Sequence, residues 1–357
     1  MDRIILNILK KIEKAGFKAY IVGGYVRDNI LGVVSNDVDI CTNALPVDIK
    51  KIFKLNKASN DDYGNVNIKV KKYNIDITTF RKENNYDKHS PKSITYINDV
   101  KTDLKRRDFT INAILMDSND NILDYYNGIK DLENKTIRCI GNTEDKLKQD
   151  PLRMLRALRL SIIYNFKIDD ELLNFIILNK YLINEVSYYR KKEELDKILF
   201  CKNKLEGLKI LKDLKLDKIL EIKFNNIKYS SDLLGMYAQM NYSDKYPFTK
   251  NEKDIIKKIK EILEYGMIDN NVLYKYGLYI SSIAAEIMGM NYKDLYKKYK
   301  ALPIKSRKDI KISLQSIVKL NNNCYNNINE IYKEIENNIL NGKLKNKNRD
   351  IIKFIRR

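Results

Sequence analysis

The chain has 357 residues, 44% of them hydrophobic and 32% charged. That is too apolar for wholesale disorder and long enough for two or three domains of about 100–200 residues. Lysine and arginine total 67 against 47 acids, a formal net charge of +20 that calls for a polyanionic partner, with nucleic acid first.

Residues 1–15 read as an amphipathic helix stopped by Gly16. Residues 18–22, 37–41, 66–70 and 75–80 read as strands, and 46–53 as a helix opened by Pro46. After Gly141 the period is almost everywhere 3.6. Leu152, Leu155, Leu158 and Ile162 form one stripe, Leu195, Ile198 and Leu199 another, and Ile255, Ile259 and Leu263 a third. The layout is a small α/β head followed by a long helical region with a strongly basic end (Lys343, Lys345, Lys347, Arg349, Lys353, Arg356, Arg357). A single basic run reads as a solvated helix face; the excess repeated over most of the chain points to an RNA- or DNA-facing surface.

No apolar run approaches bilayer length and the N-terminus has no signal-peptide core, so a cytoplasmic protein without membrane contact is expected. Cys41, Cys139, Cys201 and Cys324 are scattered, with no C-x-x-C pair to suggest zinc or a disulfide framework. His89 is the only histidine, which removes histidine-rich metal sites and the paired His/Asp site of an HD-type phosphohydrolase.

Four motifs carry chemistry. Gly23-Gly24-Tyr25-Val26-Arg27-Asp28 follows a strand and opens a helix. Glycines let a phosphate approach the backbone, the helix start supplies N–H groups and Arg27 a charged fork, although a Gly-Gly turn alone is common. In Asp37-Val38-Asp39-Ile40 the two carboxylates share one face of a strand and repel each other unless a cation lies between them. Mg²⁺ suits such oxygens, and Asp76, on a second strand between Ile75 and Ile77, offers a third acid. A lone D-x-D otherwise reads as a solvent-facing strand edge. Arg106-Arg107-Asp108-Phe109-Thr110-Ile111-Asn112-Ala113 can grip phosphate and ribose, or begin a helix capped by Asp108 with Ile111 and Ile114 buried. In Asp150-Pro151-Leu152-Arg153-Met154-Leu155-Arg156-Ala157-Leu158-Arg159, a helix would set Arg153, Arg156 and Arg159 on a turning ridge. Asp150 would stand one turn before Arg153, as recognition pair or as surface ion pair.

In this order and spacing, GGYVRD, DVDI, RRDFTINA and DPLRMLRALR resemble the class II tRNA nucleotidyltransferases and bacterial poly(A) polymerases, within the polymerase β-like nucleotidyltransferases. Thr78-Thr79-Phe80-Arg81, DYYNGIKDL (124–132) and RKKEELDKIL (190–199) continue the likeness, which covers roughly residues 15–200. It implies an α+β fold with a nucleotidyltransferase head (1–138), a helical nucleotide-recognition neck (139–200) and a helical tRNA-binding body and tail (201–357). It assigns Asp37 and Asp39 to metal, Asp76 to the third carboxylate, and Gly24 and Arg27 to nucleotide phosphates. Arg107 and Asp108 go to the ribose, Asp150 and Arg153 to the base, and Arg156 and Arg159 to further nucleotide contacts. Residues 81–102 resemble the flexible loop of complete CCA-adding enzymes. Gln149 replaces the family's usual Glu, His89-Ser90-Pro91 its Arg-Arg-Pro, and Asn127 its Gly, which bears on the loop and on nucleotide preference.

The implied activity is addition of C, C and A from CTP and ATP to tRNA 3′ ends, dependent on Mg²⁺ and without a template. The acceptor and T arms would lie on the basic helices. Narrower relatives (A-adding, CC-adding or poly(A) polymerase) and a non-catalytic RNA-binding protein are the alternatives. The loop speaks against CC-addition alone, and the Asp37/Asp39 pair against a dead head.

Overall fold

The computed structural model describes residues 2–55, 64–87, 90–320 and 328–356, with side chains at all of these except 85–87, 90–92 and 320. His89, Cys324 and Arg357 lie outside them. The chain forms two compact units, Met1–Leu220 and Glu221–Arg357.

The first unit opens with α1 (Arg3–Lys14), capped by the Asp2 side chain on the Ile4 N–H. Ile5, Ile8, Leu9 and Ile12 are buried, the helical spacing read in the sequence. There follow β1 (Ala19–Val22), α2 (Gly24–Ile30), β2 (Asp37–Thr42), α3 (Pro46–Phe53), β3 (Asn65–Val70) and β4 (Tyr73–Thr79). Residues expected as a loop instead pair as an antiparallel hairpin, β5 (Arg81–Asp87) with β6 (Ser90–Tyr96), followed by α4 (Val100–Lys105). Short elements β7 (Leu115–Met116), β8 (Ile122–Leu123), α5 (Gly128–Glu133) and β9 (Thr136–Ile137) complete the head.

Its six-stranded sheet has the order β3-β4-β2-β1-β7-β8. β2 and β4 run parallel, and the other neighbours antiparallel. Val22, Cys41, Phe80, Leu104, Ala113, Leu115 and Ile140 form a fully apolar cluster against it. On the opposite face Ile21 of β1 and Val38 and Ile40 of β2 are buried, and this alternation fixes which face carries the acids.

The helical part of the unit contains α6 (Thr143–Gln149), α7 (Leu152–Tyr164), β10 (Lys167–Ile168) beside β9, α8 (Asp170–Asn179), α9 (Tyr188–Phe200), α10 (Lys204–Asp213) and α11 (Leu216–Ile219). Leu152, Leu155, Leu158 and Ile162 are buried on α7, as are Leu195, Ile198 and Leu199 on α9. Gly207 lets α10 approach closely: a Cβ there would lie 2.9 Å from Ile162 Cγ2 and 3.1 Å from Ile198 Cγ2.

The second unit consists of β11 (Ile222–Phe224), α12 (Leu233–Ala238), β12 (Met240–Tyr242), α13 (Lys250–Tyr265), α14 (Asn270–Ile287), α15 (Tyr292–Lys300), α16 (Leu314–Leu320), α17 (Ile328–Leu340) and α18 (Asn348–Ile355). Thr249 and Glu252 form a capping box on α13. The buried stripe of α13 is Ile256, Ile259 and Ile262; Ile255 and Leu263, expected at its centre, flank it half-buried. Among the described residues no helix is long and apolar enough to cross a membrane.

Candidate active site

The turn between β1 and α2 sets one wall of a cleft of about 670 Å³ in the first unit. Gly23 has φ +77°, and a Cβ on it would lie 2.9 Å from Asp39 Oδ2. Only glycine adopts this turn without strain and lets the carboxylate so close. Gly24, read in the sequence as a phosphate contact, has a second role. A Cβ there would lie 3.3 Å from Arg27 Nη2, so its absence lets that guanidinium fold back over the start of α2.

Asp37 and Asp39 project together from β2, with Val38 and Ile40 buried between and behind them. Asp76 stands opposite Asp39 on β4, and Asn67 Nδ2 on β3 donates to Asp76 Oδ1 at 2.8 Å. Crowding by the protein pushes the Asp39 carboxyl above the usual carboxylate range; Asp76 and Asp37 add to this, against Arg107 and Arg156. A carboxylate crowded by its own kind is relieved by a hard cation, so these oxygen donors fit a divalent ion at Asp37 and Asp39. Among the described residues no three such side chains enclose a point by themselves. Further ligands would therefore have to come from solvent or substrate.

Asp108 does not cap an α-helix. The segment makes one 3₁₀ turn, Thr110–Asn112, with Phe109 at the cap position, and Ile111 and Ile114 are buried as expected. Asp108 instead accepts from the Phe109 N–H at 2.8 Å, from Asn112 Nδ2 at 3.1 Å and from Arg156 Nε at 2.7 Å. Burial alone would raise its pKa, but Arg156 and these donors hold it far below the usual range. Arg107 lies 3.5 Å from Asp103, a fully buried acid. Burial disfavours its charge, but Asp103, Asp39 and other neighbours outweigh this and raise its pKa.

The ridge on α7 exists, but its arginines point to unexpected partners. Arg153 donates from Nη1 to the Lys146 carbonyl at 2.8 Å and from Nη2 to the Arg106 carbonyl at 3.2 Å. Arg159 pairs with Glu194 of α9 at 2.8 Å. Asp150 and Arg153 do not pair with each other. Asp150 takes extended backbone (φ −145°, ψ 97°) between α6 and α7, and Pro151 follows it. A residue before proline avoids helix, so Asp150 stands outside α7; the Arg153 N–H still donates to its carbonyl at 3.0 Å, one turn on, but the two side chains do not meet. Asp150 is gripped instead by Arg190 of α9, from Nη1 at 3.1 Å and Nη2 at 2.7 Å.

Of the residues expected at the site, Gly24, Arg27, Asp39, Arg107, Asp108, Asp150, Arg153, Arg156 and Arg159 line this one cleft, while Asp37 and Asp76 stand on the sheet face beside Asp39. Eight arginines and four carboxylates line it, a surplus of positive charge suited to a polyanionic ligand. Arg106, read in the sequence beside Arg107 as a phosphate grip, also lines it, while Arg81, Glu83, Asn112, Tyr164 and Arg190 are lining residues to which the sequence alone assigns no site role. Arg190 and Glu194 lie four residues apart on α9, so they share one helix face; that spacing, within the 190–199 stretch of the family likeness, is the signal that could have paired them with this site.

Residues 19–138 match the family described as the Poly A polymerase head domain, 165–222 a probable RNA and SrmB-binding site of polymerase A, and 241–355 a putative tRNA nucleotidyltransferase domain 2. The CCA-adding enzyme of Ligilactobacillus salivarius is 34% identical over 88% of this chain and 86% of its own. That of Lactobacillus johnsonii is 32% identical over 98% of this chain and 96% of its own. The chain belongs to the CCA-adding enzyme family.

Among CCA-adding enzymes of known structure, the Bacillus stearothermophilus enzyme in complex with CTP shares the fold with a TM-score of 0.87 at 23% identity, covering 99% of this chain and 97% of its own. Membership makes the protein a nucleotidyltransferase and implies dependence on a divalent metal, in keeping with the crowded carboxylates of β2. The α+β fold expected for this family is the one observed.

Proposed function

We propose that the protein completes tRNA 3′ ends by adding C, C and A from CTP and ATP without a nucleic acid template, releasing pyrophosphate. The observation that carries this reading is one cleft with an acidic sheet face at Asp39 and a charged pair, Asp150 with Arg190, also in its wall. Chemistry and base choice can thus be served by different residues of one site.

The RNA 3′-oxygen attacks the α-phosphorus, a new P–O bond forms, and the bond to the β-phosphate oxygen breaks. Mg²⁺ held by Asp37 and Asp39 would supply charge that neutralises the reacting phosphate and the departing pyrophosphate. Asp76, fixed by Asn67, orients the 3′-OH or takes its proton. Arg27 and Gly24 receive the triphosphate, with Arg159 close by. Asp108, held by Arg156, accepts from the ribose 2′-OH beside Arg107, which selects ribonucleotides.

A carboxylate has about four acceptor sites; on Asp150 Arg190 uses two and the Leu152 N–H a third. The one left on Oδ2 can accept the N4 amino group of cytosine or the N6 amino group of adenine, while Arg153 donates to N3 or N1. Uracil and guanine offer a carbonyl instead, and a site built on hydrogen bonds rejects such a mismatch strongly. In this reading residues 1–138 are the catalytic head, 139–200 the nucleotide-reading neck, and 201–357 hold the acceptor and T arms of tRNA through phosphates and shape. The test is incubation with tRNA lacking CCA, ending in C or ending in CC, with labelled CTP or ATP separately. C is expected on the first two and A on the third. A on the third alone, or C without any A, would assign a narrower activity.

A further inference from the structure

Arg27 is held more tightly than a surface fork needs to be. Its Nε and Nη2 donate to Asp28 Oδ1 at 3.0 and 2.9 Å, its Nη1 to Asn112 Oδ1 at 2.5 Å, and its Nη2 also to the Tyr164 hydroxyl at 2.6 Å. A guanidinium has five N–H donors, so one on Nη1 is left for a ligand. Tyr164 is the last residue of α7, more than a hundred residues away in the chain. Its ring lies under the guanidinium, with the Arg27 Cζ 4.5 Å from the ring centroid, and its hydroxyl donates to Asp28 Oδ1 at 2.7 Å. Both residues line the cleft.

We propose that Tyr164 is a positioning residue for nucleotide binding: it fixes Arg27 so that its remaining donor meets the phosphates of the incoming nucleotide. The proposal rests on the assignment of Arg27 to the triphosphate. The hydroxyl accepts from Arg27 and donates to Asp28 at once, and only a phenol can do both from a flat face that also stacks on the guanidinium. Burial pushes the Tyr164 phenol up to about 12, so it remains a neutral donor at neutral pH. Without the hydroxyl, Asp28 loses one donor and Arg27 one acceptor. The ion pair with Asp28 and the bond to Asn112 then set the guanidinium's direction, with only the ring at position 164 left on α7 and no hydroxyl to hold the second Nη2 donor.

The experiment compares Tyr164→Phe, Arg27→Lys and the double variant in the full chain, reading KM and kcat for CTP and ATP and equilibrium affinity for CTP against cytidine. Tyr164→Phe keeps the ring and removes only the hydroxyl. KM should rise about tenfold for CTP and ATP alike with kcat nearly unchanged, CTP affinity should fall while cytidine affinity holds, and the double variant should be little worse than Arg27→Lys. An unchanged KM in Tyr164→Phe, when Arg27→Lys has lost CTP affinity, overturns this proposal alone. Equal losses for CTP and cytidine, or a fall in thermal midpoint with no KM change, make Tyr164 a packing residue and also overturn it. An Arg27→Lys variant with unaltered CTP affinity overturns the phosphate assignment itself, and this proposal with it.

Discussion

Asp39 is crowded by two other acids on the same sheet face, yet glycine geometry at position 23 is spent on bringing it to the cleft. Such a carboxylate stabilises nothing by itself and is explained by the ion it would share with Asp37. Asp39→Ala should abolish nucleotidyl transfer while tRNA affinity stays within a few-fold, measured by single-turnover incorporation and by filter binding. Activity of the variant equal to wild type at the same Mg²⁺ concentration would remove the metal assignment. Asp108 is the opposite case, a buried acid held ionised by Arg156. Its pKa is lower folded than unfolded, so it stabilises the fold above the ordinary value of 3.8. That contribution disappears only as pH falls through the lower folded value. Asp108→Asn removes the nearest charge partner of Arg156, whose side chain is partly exposed, and should cost about 1.5–3 kcal/mol at pH 7. The difference from wild type should stay level between pH 8 and pH 5, because Asp108 is ionised in both states there. Denaturant melts across that range check this, and a difference that drifts near neutrality would mean another group is responsible.

At the scale of elements, the spacing of α7, α9 and α10 is set by a small residue as well as by large ones. Gly207 on α10 faces Ile162 of α7 and Ile198 of α9 at distances that leave no room for a methyl group. The atoms it would meet are branched side-chain carbons in a buried seam, which yield only by moving α10. Gly207→Ala should therefore destabilise by about 1–3 kcal/mol, despite the better helix propensity of alanine. Thermal unfolding measures the loss. CTP affinity at a temperature where the variant is folded should be close to wild type, since Gly207 does not line the cleft. A stabilised variant would show that α10 can slide without penalty.

At the scale of the whole molecule, the net charge of +20 has two candidate uses, solubility and RNA binding. Binding that neutralises several phosphates releases counterions, so tRNA affinity should fall by about 10³-fold or more between 50 and 200 mM salt. Affinity for CTP should change far less over that range, because few ions are released. Filter binding with tRNA and equilibrium dialysis with CTP separate the two, and a flat tRNA response would assign the surplus to solubility.

The elements of the head were legible because their causes are local. The 3.6-residue period of Ile5, Ile8, Leu9 and Ile12, and the alternation of Asp37, Val38, Asp39 and Ile40, are properties of neighbouring residues, and they survive in the fold unchanged. The same holds for most members of the site, whose order along the chain was readable before any contact was known. Their partners were not. Asp150 chose Arg190, 40 positions away, over Arg153, because Pro151 holds Asp150 in extended backbone outside the helix that carries Arg153. Asp108 found Arg156 at 48 positions and Asp28 found Tyr164 at 136. A periodic pattern states which way a side chain faces along its own element. Which charge it meets depends on how elements pack, and at these separations the sequence holds no distance; only the tertiary structure decided those pairs.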